Sequence, residues 1–543
     1  MKEENLEKMI KEIHWAYKIA EKLIENNPDK RKFVCAAGIT PSGKVHIGNF
    51  RDIIISELVY RALKDKGYEA ELIFSWDDFD RLRKVPQGVP QTFLKYLGMP
   101  LSEIPDSYGC HESWAKHFES EFEELMPELG IKARFIYQSQ MYNENKYYEG
   151  IKIALQNRKE IAEILGKFRT QGMSEQEIES YFPLQVYCRK CRKSTTTRII
   201  NYDEKDKIEY KCKCGHHEIV DISKENIGKL SWKIDWPMRW WYEKVDFEPG
   251  GADHATSGGS FDVAKTIAKE IYGIEPPLFQ GYGFVGIEGI AKMSSSKGDV
   301  ITPRQILRIY EPELLRWIFV RSSPEKFITL FFKSQIVRQY DEFDNAIRKF
   351  YEGELSRVEK REIELSCIFP KHFPKKDRSP FRQIASFGQV VQGNLEELKK
   401  LYKRIGLEYD DKLIKTRLEK SQNWIELYMP ELRIKLKEKP NIEYFRNLSE
   451  EEKEEIRKLI KEMDKYWTLE KLTWLVYEIP KKPWFSEQKK KRAQRNFFKN
   501  VYRMLIDADT GPRLPTFLLA LGEEKVKYLL EIKKDEYKTN IGR

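Results

Sequence analysis

The sequence predicts a mixed α/β architecture: a parallel-sheet domain carrying inserted metal-binding elements, followed by an all-helical domain. Three observations predict it. Short apolar, β-capable runs alternate with helical periodicity between Asn5 and Tyr137, the texture of βαβ units. Two close cysteine pairs, Cys188/Cys191 and Cys212/Cys214, bracket a polar, β-branched segment, the layout of a ribbon held by a metal instead of a core. Beyond about residue 310 the chain is continuously helical and charged, and strand-like runs become scarce.

At 543 residues the chain is too long for one core and suggests roughly two to four domains. Lys+Arg total 96 against 86 Asp+Glu, a net charge of +10 spread through the chain, which suits a polyanion partner and equally any highly charged soluble protein. No apolar run reaches the length of a membrane span, and Met1 opens onto Glu3, Glu4, Glu7 and Lys8 instead of a signal-peptide core, so a cytoplasmic location is expected. An odd count of seven cysteines, four of them in two pairs, points to metal ligation in a reducing compartment.

In chain order, apolar residues recur at helical spacing from Leu6 to Ile24 and stop at Asn26-Asn27-Pro28-Asp29. Phe33–Gly38 reads as the first strand, 49–66 as a helix, and Glu71–Trp76 as a second strand, the order of a βαβ crossover. Arg134–Tyr137 reads as another strand, followed by helical segments to about residue 180. After the cysteine-rich segment, Trp232 to Trp241 holds four tryptophans, and Gly250 to Gly259 is rich in Gly, Ser and His. Later helices are expected over Glu313–Val320, Asn394–Ile405 and Glu450–Lys461, with basic patches near Lys371–Arg382 and Lys481–Arg495.

Two segments carry nucleotide chemistry. Gly38-Ile-Thr40-Pro41-Ser42-Gly43-Lys-Val-His46-Ile-Gly48-Asn49 lies between an expected strand and an expected helix. Glycines let backbone approach a nucleotide, a helix N-terminus offers amide donors to phosphate, and an imidazole can donate to a phosphate oxygen as charge builds. About 250 residues on, Lys292-Met293-Ser294-Ser295-Ser296-Lys297 is a Ser-rich loop with two lysines, mobile point charges able to follow a phosphate. Taken singly, a Gly/Pro turn and a solvated loop are the plain alternatives.

Together the two segments resemble the HIGH and KMSKS signatures of class I aminoacyl-tRNA synthetases, in the right order. Asn49 replaces the last histidine of the first, and Ser295 stands where the second usually has lysine, with Lys297 two positions on. The resemblance implies a Rossmann-type catalytic domain with ATP and Mg²⁺. Its ATP-binding residues would be Pro41, Ser42, Gly43, His46, Gly48, Asn49, Lys292, Met293, Ser294, Ser295, Ser296 and Lys297. His46, Asn49, Lys292 and Lys297 would carry catalysis, either lysine serving the phosphates.

The segments Ser75–Pro86, Asp235–Trp240, Gly251–His254 and Gly511–Pro515 resemble class I lysyl-tRNA synthetases nearly end to end. This implies activation of L-lysine and its transfer to tRNA(Lys), by a monomer with no membrane association. A lysine pocket needs carboxylates or aromatic faces around the desolvated ammonium. By resemblance Gly38 and Thr40 belong to the reacting end, and Trp232, Asp253, His254 and Tyr282 to the pocket. Glutamyl- and glutaminyl-tRNA synthetases carry similar first motifs and remain alternatives, as do another nucleotidyltransferase and a non-catalytic zinc-ribbon RNA-binding protein.

Cys188-x-x-Cys191, twenty residues, then Cys212-x-Cys214-Gly-His216 is zinc-ribbon spacing; Cys214 or His216 can complete a closed structural Zn²⁺ site. Asp106, Cys110, His111 and His117 are less regularly spaced, and the resemblance implies a second structural Zn²⁺ site there. It also implies this domain order: 1–180, first half of the catalytic domain; 181–225, zinc ribbon; 226–310, second half with the lysine loop; 311–350, stem-contact helices; 351–543, anticodon-binding helices. Lys489, Lys490, Lys491, Arg492 and Arg495, near Trp484, Phe485 and Phe497, pair phosphate neutralisation with rings for unpaired bases, or form a solvated helix face.

Overall fold

The computed structural model describes residues 13–252, 254, 258–288 and 300–533. These fall into two compact units. The first holds the described residues up to Leu307 together with Pro312–Phe331 and Glu352–Pro374; the second holds Arg308–Glu311, Phe332–Tyr351 and the described residues from Lys375 onward.

The strands are β1 (Lys32–Ile39), β2 (Glu69–Trp76), β3 (Arg134–Tyr137), β4 (Leu184–Val186), β5 (Thr197–Tyr202), β6 (Lys207–Cys212), β7 (His217–Asp221), β8 (Gly228–Leu230), β9 (Phe247–Gly251), β10 (Leu278–Tyr282), β11 (Val285–Ile287) and β12 (Ile328–Leu330). The central sheet runs β10-β9-β1-β2-β3 with every pairing parallel. Phe33 to Ala37 are buried without interruption, because a parallel strand covered on both faces has no solvent side to alternate with. The order reverses between β1 and β9. Parallel sheets of this kind leave a crevice beyond the carboxyl ends of the strands at such a switch point.

The helix Ile47–Asp65 crosses from β1 to β2 and is buried almost all round. Its polar members Arg51, Asp52, Ser56 and Glu57 are buried with it. The expected first helix runs Trp15–Asn26 in the described residues. The tryptophan-rich segment forms the helix Trp232–Glu243, whose spacing of four puts Trp232, Trp236 and Trp240 on one face. Trp236 and Trp240 pack against Val34, Ala36 and Ile136 of the sheet. The cysteine-rich segment forms the antiparallel sheet β5-β6-β7, beside the short pair β4-β8.

The second unit is helical, and its centre holds charge. Arg417, fully buried, donates to Glu311 at 2.5 Å and to Asp344 at 2.7 Å, and Arg378 pairs with both carboxylates. Arg378, one of the Lys371–Arg382 cations, is therefore a core residue with a side chain 6% exposed, not surface charge. Phe497 is likewise fully buried, inside the helix Glu487–Ile506, and is withdrawn from the rings offered to unpaired bases. Trp484 is 77% exposed, and Trp474 and Tyr477 join it at the surface.

Candidate active site

The carboxyl end of β1 and the start of the helix Ile47–Asp65 make the site. His46 caps this helix: its Nδ1 accepts from the Asn49 backbone N–H at 3.3 Å, and the Asn49 side-chain oxygen accepts from the His46 N–H at 3.2 Å. This reciprocal box uses the residue by which the motif departs from its usual form. With Nδ1 accepting, the ring proton sits on Nε2. Burial lowers the His46 pKa, so the ring is neutral at pH 7 and presents an N–H donor. Gly48 follows from the same packing, since a Cβ there would meet His46 Cε1 and Nδ1 at 2.9 Å. Gly38 is tight as well, a Cβ there meeting Ser75 O of the neighbouring strand at 3.0 Å.

A cavity of about 540 Å³ opens at the switch point. Gly38, Thr40, Ser42, Gly43, His46, Gly48, Asn49, Trp232, His254 and Tyr282 all line it. Pro41 is buried and is not among the lining residues. Asp253, Lys292, Met293, Ser294, Ser295, Ser296 and Lys297 lie outside the described residues. Trp232 stacks on Trp236 with centroids 5.0 Å apart, and the Arg239 guanidinium sits 5.1 Å from the Trp232 ring centroid.

Two lining carboxyls, Asp52 and Glu248, did not stand out in the sequence, whereas Asp77 and Asp80 fall in the Ser75–Pro86 segment. Asp52 receives the Gly38 N–H at 3.1 Å and the Tyr282 hydroxyl, and burial pushes its pKa up to about 8. Glu248, also raised by burial, accepts from Trp240 Nε1 at 2.5 Å. Asp77 and Asp80 are tied to the buried Lys229, and Arg239 reaches Asp77 and Asp235 at 3.2 Å each. Burial opposes the charge on Asp77, yet Arg239 and Lys229 hold its pKa below the ordinary range. The lining thus combines fixed, paired charge with two carboxyls, Asp52 and Glu248, whose protonated form burial favours. The available signal was the run Arg51, Asp52, Ser56, Glu57 breaking an otherwise apolar helix.

Two groups of side chains can hold a metal. A tetrahedral ion with sulfur bonds of about 2.3 Å needs ligand edges of about 3.8 Å. Cys188 and Cys214 Sγ are 3.6 Å apart, as are those of Cys191 and Cys212, and the four Sγ atoms lie within 4.8 Å of one another. The set fits zinc. His216 instead pairs with Glu218 at 3.1 Å. In the second group, Cys110 Sγ lies 3.1 Å from His111 Nδ1, 3.2 Å from His117 Nδ1 and 3.3 Å from Asp106 Oδ2. Asp106 Oδ2 is aimed there by the backbone N–H groups of Cys110 and His111, each at 3.0 Å. This mixed set also fits a small divalent ion.

A crevice at a sheet's switch point beside a helix N-terminus is suited to an anionic ligand such as a nucleotide phosphate. The family model for tRNA synthetases class I (K) matches residues 13–368. A lysine–tRNA ligase of Pyrococcus horikoshii is 39% identical over 525 residues, covering 94% of this chain and 97% of the relative. Lysine–tRNA ligases of Borreliella burgdorferi and Streptomyces coelicolor are 37% and 34% identical, each covering 95% of this chain and 98% of the relative. The chain belongs to the class I (K) tRNA synthetases. Among solved structures, a glutamate tRNA ligase from Elizabethkingia meningosepticum covers 94% of this chain at 13% identity and a TM-score of 0.45, too loose a likeness to argue from.

Proposed function

We propose that this chain is a lysine–tRNA ligase: it activates L-lysine with ATP to lysyl-adenylate, releasing pyrophosphate, and transfers the lysyl group to the 3′-terminal ribose of tRNA(Lys). The observation that carries the reading is His46, a neutral capping histidine that lines the cavity at the end of β1 and keeps its Nε2–H as a donor. A lysine carboxylate oxygen attacks the α-phosphorus of ATP; that bond forms as the bond to the bridging oxygen of pyrophosphate breaks. His46 donates to phosphate as charge builds, and amides of the helix start add to it. The terminal ribose hydroxyl then attacks the acyl carbon, and AMP leaves. No protein nucleophile is required, because positioning and charge stabilisation suffice.

Lysine enters with Gly38 and Thr40 at the reacting end and Trp232, His254 and Tyr282 around its side chain, with Asp253 as counter-charge for its ammonium groups and the carboxyls of Asp52 and Glu248 as hydrogen-bonding partners. Lys292 or Lys297 serves the phosphates. Mg²⁺ supplies phosphate charge neutralisation when bound; it needs no dedicated protein cage, and Asp77 and Asp80 are already paired. Zinc on the four cysteines, and on Asp106, Cys110, His111 and His117, holds loops together without taking part in the reaction.

The partner is tRNA(Lys), read by the helical half. Lys489, Lys491, Arg492 and Arg495 are exposed on the helix Glu487–Ile506, beside exposed Trp484. Lys489 Nζ lies 4.3 Å from the Phe485 ring centroid. Such a surface combines phosphate contacts with stacking for unpaired bases. Among the described residues no helix is long and apolar enough to cross a membrane. A cytoplasmic, monomeric enzyme is part of the proposal. Charging of tRNA(Lys), tRNA(Glu) and tRNA(Gln) with each matching amino acid tests the reading. Lysylation of tRNA(Lys) alone supports it; glutamylation or glutaminylation defeats it.

A further inference from the structure

Arg51 lies in the second turn of the helix that His46 caps, and only 1% of it is exposed. Its Nη1 donates to Gly283 O at 2.7 Å and Phe284 O at 3.1 Å. Its Nη2 donates to Ser323 O at 3.3 Å, Pro324 O at 2.8 Å and Lys326 O at 2.6 Å. Five main-chain carbonyls thus converge on one guanidinium, which offsets the cost of burying the cation. A planar fork with fixed N–H directions can do this; a lysine ammonium on a single nitrogen cannot.

What the fork holds is a wall of the cavity. Tyr282, Gly283, Phe284 and Val285 all line it. The second strip, Ser323 to Lys326, backs that wall: Gly283 N–H donates to Pro324 O at 2.9 Å, Ile328 N–H donates to Phe284 O at 3.2 Å, and β11 pairs with β12. The next residue on the helix, Asp52, takes the Tyr282 hydroxyl. Farther along, Ile301 O accepts the Ile47 N–H at 3.0 Å, so the His46 helix meets this part of the chain again at its first turn.

We propose that Arg51 is a positioning residue for amino-acid activation, setting the Tyr282–Phe284 wall in fixed relation to His46. The inference rests on the lysine–tRNA ligase reading. A buried arginine of purely structural use is available for contrast. Arg316, fully buried, donates to Glu57, Leu129 O and Leu365 O, none of which lines the cavity.

The test is lysine-dependent pyrophosphate exchange, with KM and kcat measured separately and a thermal unfolding curve for each variant. Arg51→Lys keeps the charge but cannot span both carbonyl strips, so the KM for lysine rises on the order of tenfold while kcat changes less. Arg316→Lys lowers the unfolding midpoint and leaves that KM unchanged. Gly283→Ala attacks the same wall from the other side, since a Cβ there would meet Glu325 O at 2.7 Å and Lys326 O at 3.3 Å; it raises the KM as well. If Arg51→Lys does not fold, Gly283→Ala carries the test. Wild-type KM in every folded one of these two variants overturns the inference, whatever their stability. All assays contain tRNA(Lys), and an absence of lysine-dependent exchange in the wild-type protein under that condition overturns the ligase reading first.

Discussion

Two histidines cap helices in the first unit by the same device, and they differ in what the second ring nitrogen meets. His14 caps Trp15–Asn26 with Nδ1 accepting from the Ala16 N–H at 3.2 Å, and its Nε2 donates to Val320 O at 2.9 Å. His46 caps Ile47–Asp65 with Nδ1 accepting from Asn49, and it lines the cavity while among the described residues its Nε2 meets no protein acceptor. Burial lowers the pKa of both, that of His14 to about 4. Local hydrogen bonding therefore sets the tautomer in each case, and tertiary placement decides whether the remaining N–H is structural or available for chemistry.

The largest expected effect comes from removing the available donor. His46→Ala should lower kcat for lysine-dependent pyrophosphate exchange by on the order of 10²–10³-fold, the range for losing one charge-stabilising donor, with stability falling by only about 1 kcal/mol for the lost cap. Exchange kinetics and urea unfolding read the two quantities. His14→Ala should invert the pattern. The lost cap and the lost bond to Val320 O, which still accepts from Trp15 Nε1 at 2.8 Å, cost about 1–3 kcal/mol, while kcat per folded molecule stays at the wild-type value.

Acid sharpens the comparison. The folded pKa of His14, about 4, lies below its unfolded value of about 6.5. Its contribution is complete above pH 6.5 and is lost as pH falls through 4, a loss of about 3 kcal/mol. Unfolding free energies of wild type and His14→Asn, which keeps a capping oxygen without titrating, should diverge over that window. The smallest effect is expected for Asn49→Ala, which removes one bond of the capping box. It should cost about 1 kcal/mol of stability and reduce exchange roughly threefold to tenfold by loosening the His46 backbone.

Much of this was legible in the sequence for reasons of range. β1 and β2 read as strands because parallel strands are continuous apolar runs, and the helix after the first motif announced itself by periodicity and glycine. His46, Gly48 and Asn49 are neighbours in the chain, so their box is a local fact. Arg51 was not legible, because its acceptors lie more than 230 residues away and are main-chain atoms with no sequence signature. The choice of Cys214 over His216 depended on how the β6–β7 hairpin turns, which spacing alone leaves open. Phe497 and Trp484 look alike as aromatics beside a basic run; only packing separates a core ring from one that is 77% exposed.

Pyrophosphate exchange with each of the twenty amino acids, with and without tRNA, on wild type and His46→Ala, tests the central claim most directly. The account predicts exchange with lysine alone, lost in the variant while its fold persists. Exchange driven by glutamate or glutamine, or lysine exchange undiminished in His46→Ala, would contradict it.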